Sequence, residues 1–495
     1  MSSRIIPFPT ELRPPLPTVV GNVDYLTLRQ RLEQIDSVLR TSGVESEFVE
    51  RALRGWLPAA GPGPSARQQH KFQERSRRAL RCNILRTLLQ EDYRGFSCQL
   101  AGNPLYQWFC SIDALDQIRV PSKSELQRFA HWLPAQEMRE LINTLLRSAL
   151  AAPKKLRLRE PLDLEAYFLD TTALKANIHF PVDWVLLRDG VRTLMKATLL
   201  IRNQGLKGRM EPPQEFLRRI NRLSMAMTHQ RRGAESRKGR KRVLRQMKKL
   251  VKVVRDHAWR HQQLLEAKWP QTELTWPQAQ RILLRIDQVR QLLPRAQRQA
   301  HERIIGGRLV ENREKILSLY EPDVHVIVRG KAGAEVEFGN TVLLGENRQG
   351  LILDFQVYQE QVPSDALLLV ESLERVQAGL GQMVDEVAAD RGFSSASNHC
   401  GLAQAGIFDG ICPRQPQQLK ARMQEKKFVN LQRRRSQTEA RIGILKNGFF
   451  GRPMRAKGFA NRELAVAWGV LTHNLWMLAR LRKTKKKTQP ALLAA

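Results

Sequence analysis

Leu164-Glu-Ala-Tyr-Phe-Leu-Asp170 and Val384-Asp-Glu-Val-Ala-Ala-Asp390 decide how this chain is read. Each is a short, largely apolar run with strand character that closes on an aspartate. In α/β sheets ligands gather outside the carboxyl ends of the strands, so two such strands laid side by side would bring Asp170 and Asp390 together. A third acid, Glu439, falls in a helix expected from about Gln418 to Leu445. At about 100° per residue, Gln432, Arg435, Glu439 and Lys446 lie within about 60° of one another, beside an apolar face of Leu431, Ile442 and Leu445. The result is a narrow polar stripe bordering the core, with a carboxylate to meet a cation and Arg435 and Lys446 to hold phosphate. Hard divalent cations such as Mg²⁺ prefer oxygen ligands and keep several waters, so two or three carboxylates plus substrate phosphate oxygens suffice. Two such ions about 4 Å apart can activate an attacking oxygen and stabilise a leaving one. Each acid also has a plain structural reading: Asp170 caps whatever follows, Asp390 opens a turn with Arg391-Gly392, and Glu439 forms a surface pair with Arg435.

The rest of the chain sets the context. At 495 residues it exceeds one compact core and allows about three domains. Lys and Arg number 82 against 48 Asp and Glu, a net charge of +34, which points to a polyanion, nucleic acid before anionic membrane. The most hydrophobic segment, Leu464 to Ala479, contains Thr472, His473 and Asn474 and reads as a buried helix rather than a bilayer span. Five prolines before Gly21 suggest an extended arm over residues 1–22 and no cleavable export signal. Five cysteines without a Cys-x-x-Cys pair fit reduced thiols, and His399-Cys400 with Cys412 lacks a fourth zinc ligand.

Residues 23–160 read as a helical domain. Tyr25, Leu28, Leu32, Ile35 and Leu39 form an amphipathic seam, Ile84, Leu85, Leu88 and Leu89 an apolar face, and Pro121-Ser122 a break and cap. The seam suits intramolecular core or a short dimer contact, and the bundle suits DNA reading or no contact at all. After a strand segment ending in an acid, 161–180, residues 181–320 return to helix as an expected antiparallel hairpin. It is densely basic from Arg231 and Arg232 through Arg237, Lys238, Arg240, Lys241, Arg242, Arg245, Lys248 and Lys249 to Lys252 and Arg255. Leu244, Met247, Val251, Val254, Ala258 and Leu265, then Ile282, Ile286, Val289 and Leu293, mark its apolar seams. A strip this one-sided repels itself without a polyanion, although charge runs are often only solvated faces. Strand periodicity from Val324, Glu335 to Leu344 and Gly350 to Tyr358, then alternating helices and strands, assigns 321–481 to an α/β domain. Residues 482–495 form a basic tail expected to be disordered.

Arg435-x3-Glu439-x6-Lys446 resembles the Tyr-x2-Arg-x3-Glu-x6-Lys signature of bacterial insertion-sequence transposases of the DDE group, with Gln432 where that family has tyrosine. Ala389-Asp390-Arg391-Gly392-Phe393 is similar to its second-aspartate motif. Leu169-Asp170-Thr171-Thr172 through Ile178-His-Phe-Pro-Val-Asp183 is similar to its opening strand, and Gly330-Lys331 with Glu337-Phe338-Gly339 to the strand that follows. Phe96 to Phe129 resembles its helical N-terminal domain, and the ISNCY group is the nearest subdivision.

The resemblance implies an α/β chain with an RNase H-like catalytic domain built on a mixed sheet, a helical N-terminal domain and a large basic helical insertion. It implies that Asp170, Asp390 and Glu439 bind two Mg²⁺ or Mn²⁺ ions, with Arg435 and Lys446 on DNA phosphate. The implied reaction is nicking at terminal inverted repeats, then attack of the freed 3′-hydroxyl on target DNA, by a homodimer or larger assembly on double-stranded DNA in the bacterial cytoplasm, associated with the nucleoid. The insertion lies between the two aspartates rather than before the glutamate helix, and the missing tyrosine removes any role for a phenol. A non-catalytic, domesticated DNA-binding protein and a structure-directed RNase H-like nuclease are the alternatives.

Overall fold

The computed structural model describes residues 16–57, 63–112, 117–229, 234–331, 334–362 and 364–483. Arg231 and Arg232, most of the proline arm and the lysine tail after Lys483 lie outside the described residues.

The first seven helices, α1 (Val23–Ser42), α2 (Val44–Trp56), α3 (Ala66–Leu89), α4 (Tyr93–Gly102), α5 (Pro104–Phe109), α6 (Lys123–Ala130) and α7 (Ala135–Ala151), form a bundle. Ser122 does cap α6, its side chain accepting from the Glu125 N–H. Inside the bundle Arg81 is fully buried and is matched by Asp36 and Glu45. The seam of Leu32, Ile35 and Leu39 is buried within the chain. It belongs to a single apolar core that runs on into Tyr167, Leu169, Val342 and the final helix, so the N-terminal helices and the sheet share one interior.

Strand β1 (Ala166–Lys175) is central. Four helices follow it: α8 (Asp183–Asn203), α9 (Pro213–His229), α10 (Ala234–Lys268) and α11 (Trp276–Ala300). The expected hairpin of α10 and α11 is thus half of a four-helix bundle. A heptad seam does not state how many helices pack on it, and Leu187, Val191, Leu194 and Ile201 of α8 with Phe216 and Ile220 of α9 complete a separate core. Entry and exit are tied together, since Asp183 accepts from Gln299 Nε2 at 2.8 Å and from Arg303 Nη1 at 3.0 Å.

The chain then returns through β2 (His325–Lys331), β3 (Ala334–Glu346) and β4 (Ile352–Val357). After α12 (Leu369–Leu380) come β5 (Glu386–Ala388), α13 (Ala396–Gln404), β6 (Phe408–Asp409), α14 (Pro416–Arg422), α15 (Lys426–Leu445) and α16 (Phe459–Arg480). The mixed sheet runs β2-β3-β1-β5-β6, and β4 pairs with β3 where β2 leaves off. β1 is antiparallel to β3 and parallel to β5, which is parallel to β6. No helix among the described residues is long and apolar enough to cross a membrane.

Candidate active site

Strand alternation places the aspartates. On β1, Ala166 and Phe168 pack with Ala388 and with Leu431 of α15, while Tyr167 and Leu169 face the main core. With a period of two, Asp170 follows Ala166 and Phe168 to the face that α15 covers. β5 pairs with β1 in the register Phe168 to Ala388, so Asp390 lies as far beyond its strand pair as Asp170 does. Asp170 itself sits within β1, not at its end as the sequence suggests. Thr171 to Lys175 stay paired with β3, and only the β5 side of the strand opens beyond Phe168. The parallel half of the sheet therefore ends where both acids emerge.

Glu439 arrives on α15, which is fixed from behind by a buried carboxylate. Glu346 of β3, 1% exposed, accepts from Arg434 Nη1 at 3.0 Å, Thr438 Oγ1 at 2.8 Å and Arg441 Nε at 3.2 Å. Those three residues share one helix face, so the neighbouring face with Arg435 and Glu439 turns to the cleft. Gln432 ties α15 to the backbone beside Asp390: its amide donates to the backbone oxygens of Ala389 and Gly410 at 3.2 and 2.6 Å. Its own oxygen accepts from Arg435 Nε at 3.0 Å, so Arg435 is held by Gln432 and the Arg435–Glu439 surface pair does not form. Lys446 begins a π-helical turn after α15, is buried, and donates to Thr172 Oγ1 at 3.2 Å.

Asp170, Asp390, Glu439 and Lys446 line one cleft of ≈ 910 Å³. It also receives Glu337, Asp365 and Arg452, giving five carboxylates against two cations in a chain of +34. Burial, then the Asp390 charge, push the Asp170 carboxyl up to about 7; Glu439 adds to this, while the Thr171 N–H and Arg435 oppose it. Asp170 Oδ1 accepts from Thr171 N at 2.7 Å and Asp390 Oδ1 from Gly392 N at 2.8 Å, the local turn roles that each residue also serves. Among the described residues, no three His, Cys, Asp or Glu side chains are already drawn together as a metal cage. The donor set nonetheless fits a hard divalent cation: it is all oxygen, acidic and held on separate elements around one cleft.

Asp365 has no signal in the sequence that marks it as part of the site. It opens a turn before α12, accepts from Thr171 Oγ1 at 3.0 Å, and faces Asp390 across Gly392. A Cβ built on Gly392 would stand 3.0 Å from Asp365 Oδ2 and 3.0 Å from Asp390 Oδ1, so the glycine leaves the space between two acids open. In sequence, Ser364-Asp365 looks only like a helix start. Glu337 and Arg452 are equally unmarked; they pair at 3.8 Å across the mouth.

The basic residues named from sequence separate on α10. Arg237, Lys238, Arg242 and Lys249 are exposed, as are Arg245 and Lys252. Lys238, Arg242, Arg245, Lys249 and Lys252 form one stripe opposite the buried Leu244, Met247, Val251 and Val254. Arg240 and Lys241 are half-buried, and Lys248 turns to His301 Nδ1 at 3.2 Å. No family model, curated protein or solved structure matches the chain.

Proposed function

We propose that the chain is a DDE-type DNA transposase that uses divalent metal ions to cut at the terminal inverted repeats of an insertion sequence and to join the ends to target DNA. The observation that carries this is the convergence of Asp170, Asp390 and Glu439, from three distant segments, on one cleft in which burial and the Asp390 charge push the Asp170 carboxyl up to about 7. An RNase H-like reading of the sheet is supported by its order: a central strand bearing the first acid, antiparallel strands on one side, parallel strands on the other, and the third acid on a covering helix.

Asp170, Asp390 and Glu439 would hold two Mg²⁺ or Mn²⁺ ions, which when bound supply polarisation of the attacking oxygen and neutralisation of charge on the leaving one. Lys446 and Arg452 flank the cleft and bind phosphate oxygens, and Arg435, held by Gln432, brings a third cation to its edge. In the first displacement a water oxygen bonds to phosphorus as the bond to the 3′ oxygen breaks; the water gives up a proton to solvent and the departing 3′ oxygen takes one from solvent, leaving a 3′-hydroxyl and a 5′-phosphate. In the second the freed 3′-hydroxyl oxygen bonds to a target phosphorus and displaces the target's 3′ oxygen, its proton passing by way of solvent to that departing oxygen. Because both ends must be held at once, the working unit is at least a dimer on DNA.

Where inverted repeats bracket the reading frame, Asp170→Asn and Asp390→Asn are expected to reduce Mg²⁺-dependent nicking of duplexes carrying them by on the order of 10³-fold, with duplex binding retained. Undiminished nicking removes the site. Binding without cleavage by the parent protein favours a domesticated DNA binder, and cleavage of any branched or hybrid duplex favours a structure-directed nuclease.

A further inference from the structure

Five arginines meet at the corner where α1, the turn before β1 and the end of α16 come together. Arg31, Arg159, Arg480 and Arg482 line a cavity of ≈ 360 Å³. Arg157 adds its charge to the same corner: burial and then Arg157 pull the Arg482 guanidinium below its ordinary pKa. The backbone fixes the group in place. Leu158 and Arg482 form an antiparallel bridge, the Arg159 N–H donates to Leu481 O at 2.9 Å, and the Lys483 N–H donates to Arg157 O at 2.9 Å. Arg482 therefore belongs to the fold rather than to a loose tail. It is 7% exposed and donates from Nη1 to the Gln34 carbonyl at 3.1 Å.

None of the five has a carboxylate partner among the described residues. Two arginines that are fully buried among the described residues are treated differently: Arg81 meets two carboxylates and Arg462 meets Glu321. The carboxyl end of α16 offers about half a negative charge, far short of five guanidinium groups. Arg157 also holds a left-handed backbone (φ 56°), at a cost on the order of 1 kcal/mol for a residue with a Cβ. A fold that concentrates unmatched guanidinium groups around a cavity is completed by an anion, and planar forks suit the oxygens of phosphate.

We propose that this corner is a phosphate-binding site, for a phosphodiester of a nucleic-acid backbone or for a free phosphate group. It shares no residue with the carboxylate cleft, so it is tested without divalent metal, and its failure leaves the reading of Asp170, Asp390 and Glu439 untouched. The test uses the full chain and the double variant Arg31→Ala/Arg480→Ala, which spares the buried Arg482, with thermal unfolding to confirm that the fold is kept. Duplex affinity is measured against salt concentration, and inorganic phosphate and pyrophosphate are titrated calorimetrically. A salt dependence flatter in the variant by about one for each phosphate that is no longer neutralised assigns the site to DNA backbone. Loss of phosphate or pyrophosphate binding with an unchanged DNA salt dependence assigns it to a free phosphate compound. Equal salt dependence together with equal, or no, small-anion binding in both proteins overturns the proposal.

Discussion

In the cleft between β1, β5 and α15, five carboxylates face two cations, and the fold holds Asp170 there against burial and the charge of Asp390. Along one stripe of α10, Lys238, Arg242, Arg245, Lys249 and Lys252 are exposed and solvated, opposite an apolar face that would pack equally well without them. The two regions differ in how charge is bound to the fold. The buried charge of Asp170 raises the cost of the folded state, whereas the exposed charges of α10 leave it nearly unaffected and act outward on a polyanion. Substitutions in the first region should therefore move stability and chemistry together, and substitutions in the second should move only association.

The largest effect is expected at Glu346, which anchors Arg434, Thr438 and Arg441 of α15 to β3. Glu346→Gln leaves two guanidinium groups against an interior with no counter-charge, and removing one partner of a buried ion pair costs about 3–5 kcal/mol. Urea unfolding should report that loss, and cleavage should fall with it, because Glu439 is positioned by the same helix. Glu235→Gln on α10, which breaks only an exposed pair with Lys238, should leave the urea midpoint where it is. Similar midpoint shifts in the two variants would erase the distinction.

Asp170 gives the next effect, with a defined pH window. Its folded carboxyl lies at about 7, above the ordinary 3.8, so its contribution to stability is fully present below about pH 4 and is lost as pH rises to about 7. Without metal, Asp170→Asn should be more stable than the parent at pH 8, by up to about 4 kcal/mol at about 1.4 kcal/mol per unit, and the gap should close toward pH 4. Adding Mg²⁺ should stabilise the parent and not the variant. A gap that does not change with pH would mean that the carboxylate is not strained by its neighbours.

These contrasts also explain what could be read from residues alone. That Asp170, Asp390 and Glu439 meet in one cleft was legible because strand alternation and helix periodicity are local rules, and the register of β1 with β5 obeys them. The open β5 side of β1 was not legible: whether Asp170 ends a strand or lies within one depends on how far each neighbour extends, and the neighbours are remote in sequence. Asp365 was hidden for a related reason, since its partner Thr171 lies on a strand nearly two hundred residues earlier. On α10 the buried seam was read correctly, but not the α8 and α9 faces that cover it. An apolar stripe states that something must pack on it without stating what.

The smallest effect sharpens the comparison most, because it tests the insertion without disturbing the fold. Lys238, Arg242, Arg245 and Lys249 share the exposed stripe of α10, and none is buried. Replacing all four with Ala should leave the urea midpoint nearly unchanged, as expected for surface positions. Duplex affinity should fall about 10- to 100-fold at moderate salt, with a salt dependence flatter by about 0.9 for each phosphate that the variant fails to neutralise. At saturating DNA the cleavage rate should stay within about two-fold of the parent, since the carboxylates, Lys446 and Arg435 are untouched. An unchanged affinity would reduce the stripe to a solvated helix face and shift DNA attraction to other surfaces. A cleavage rate that collapses at saturation would instead show that the insertion orients the scissile phosphate as well as attracting the duplex, and the two regions would then act as one site.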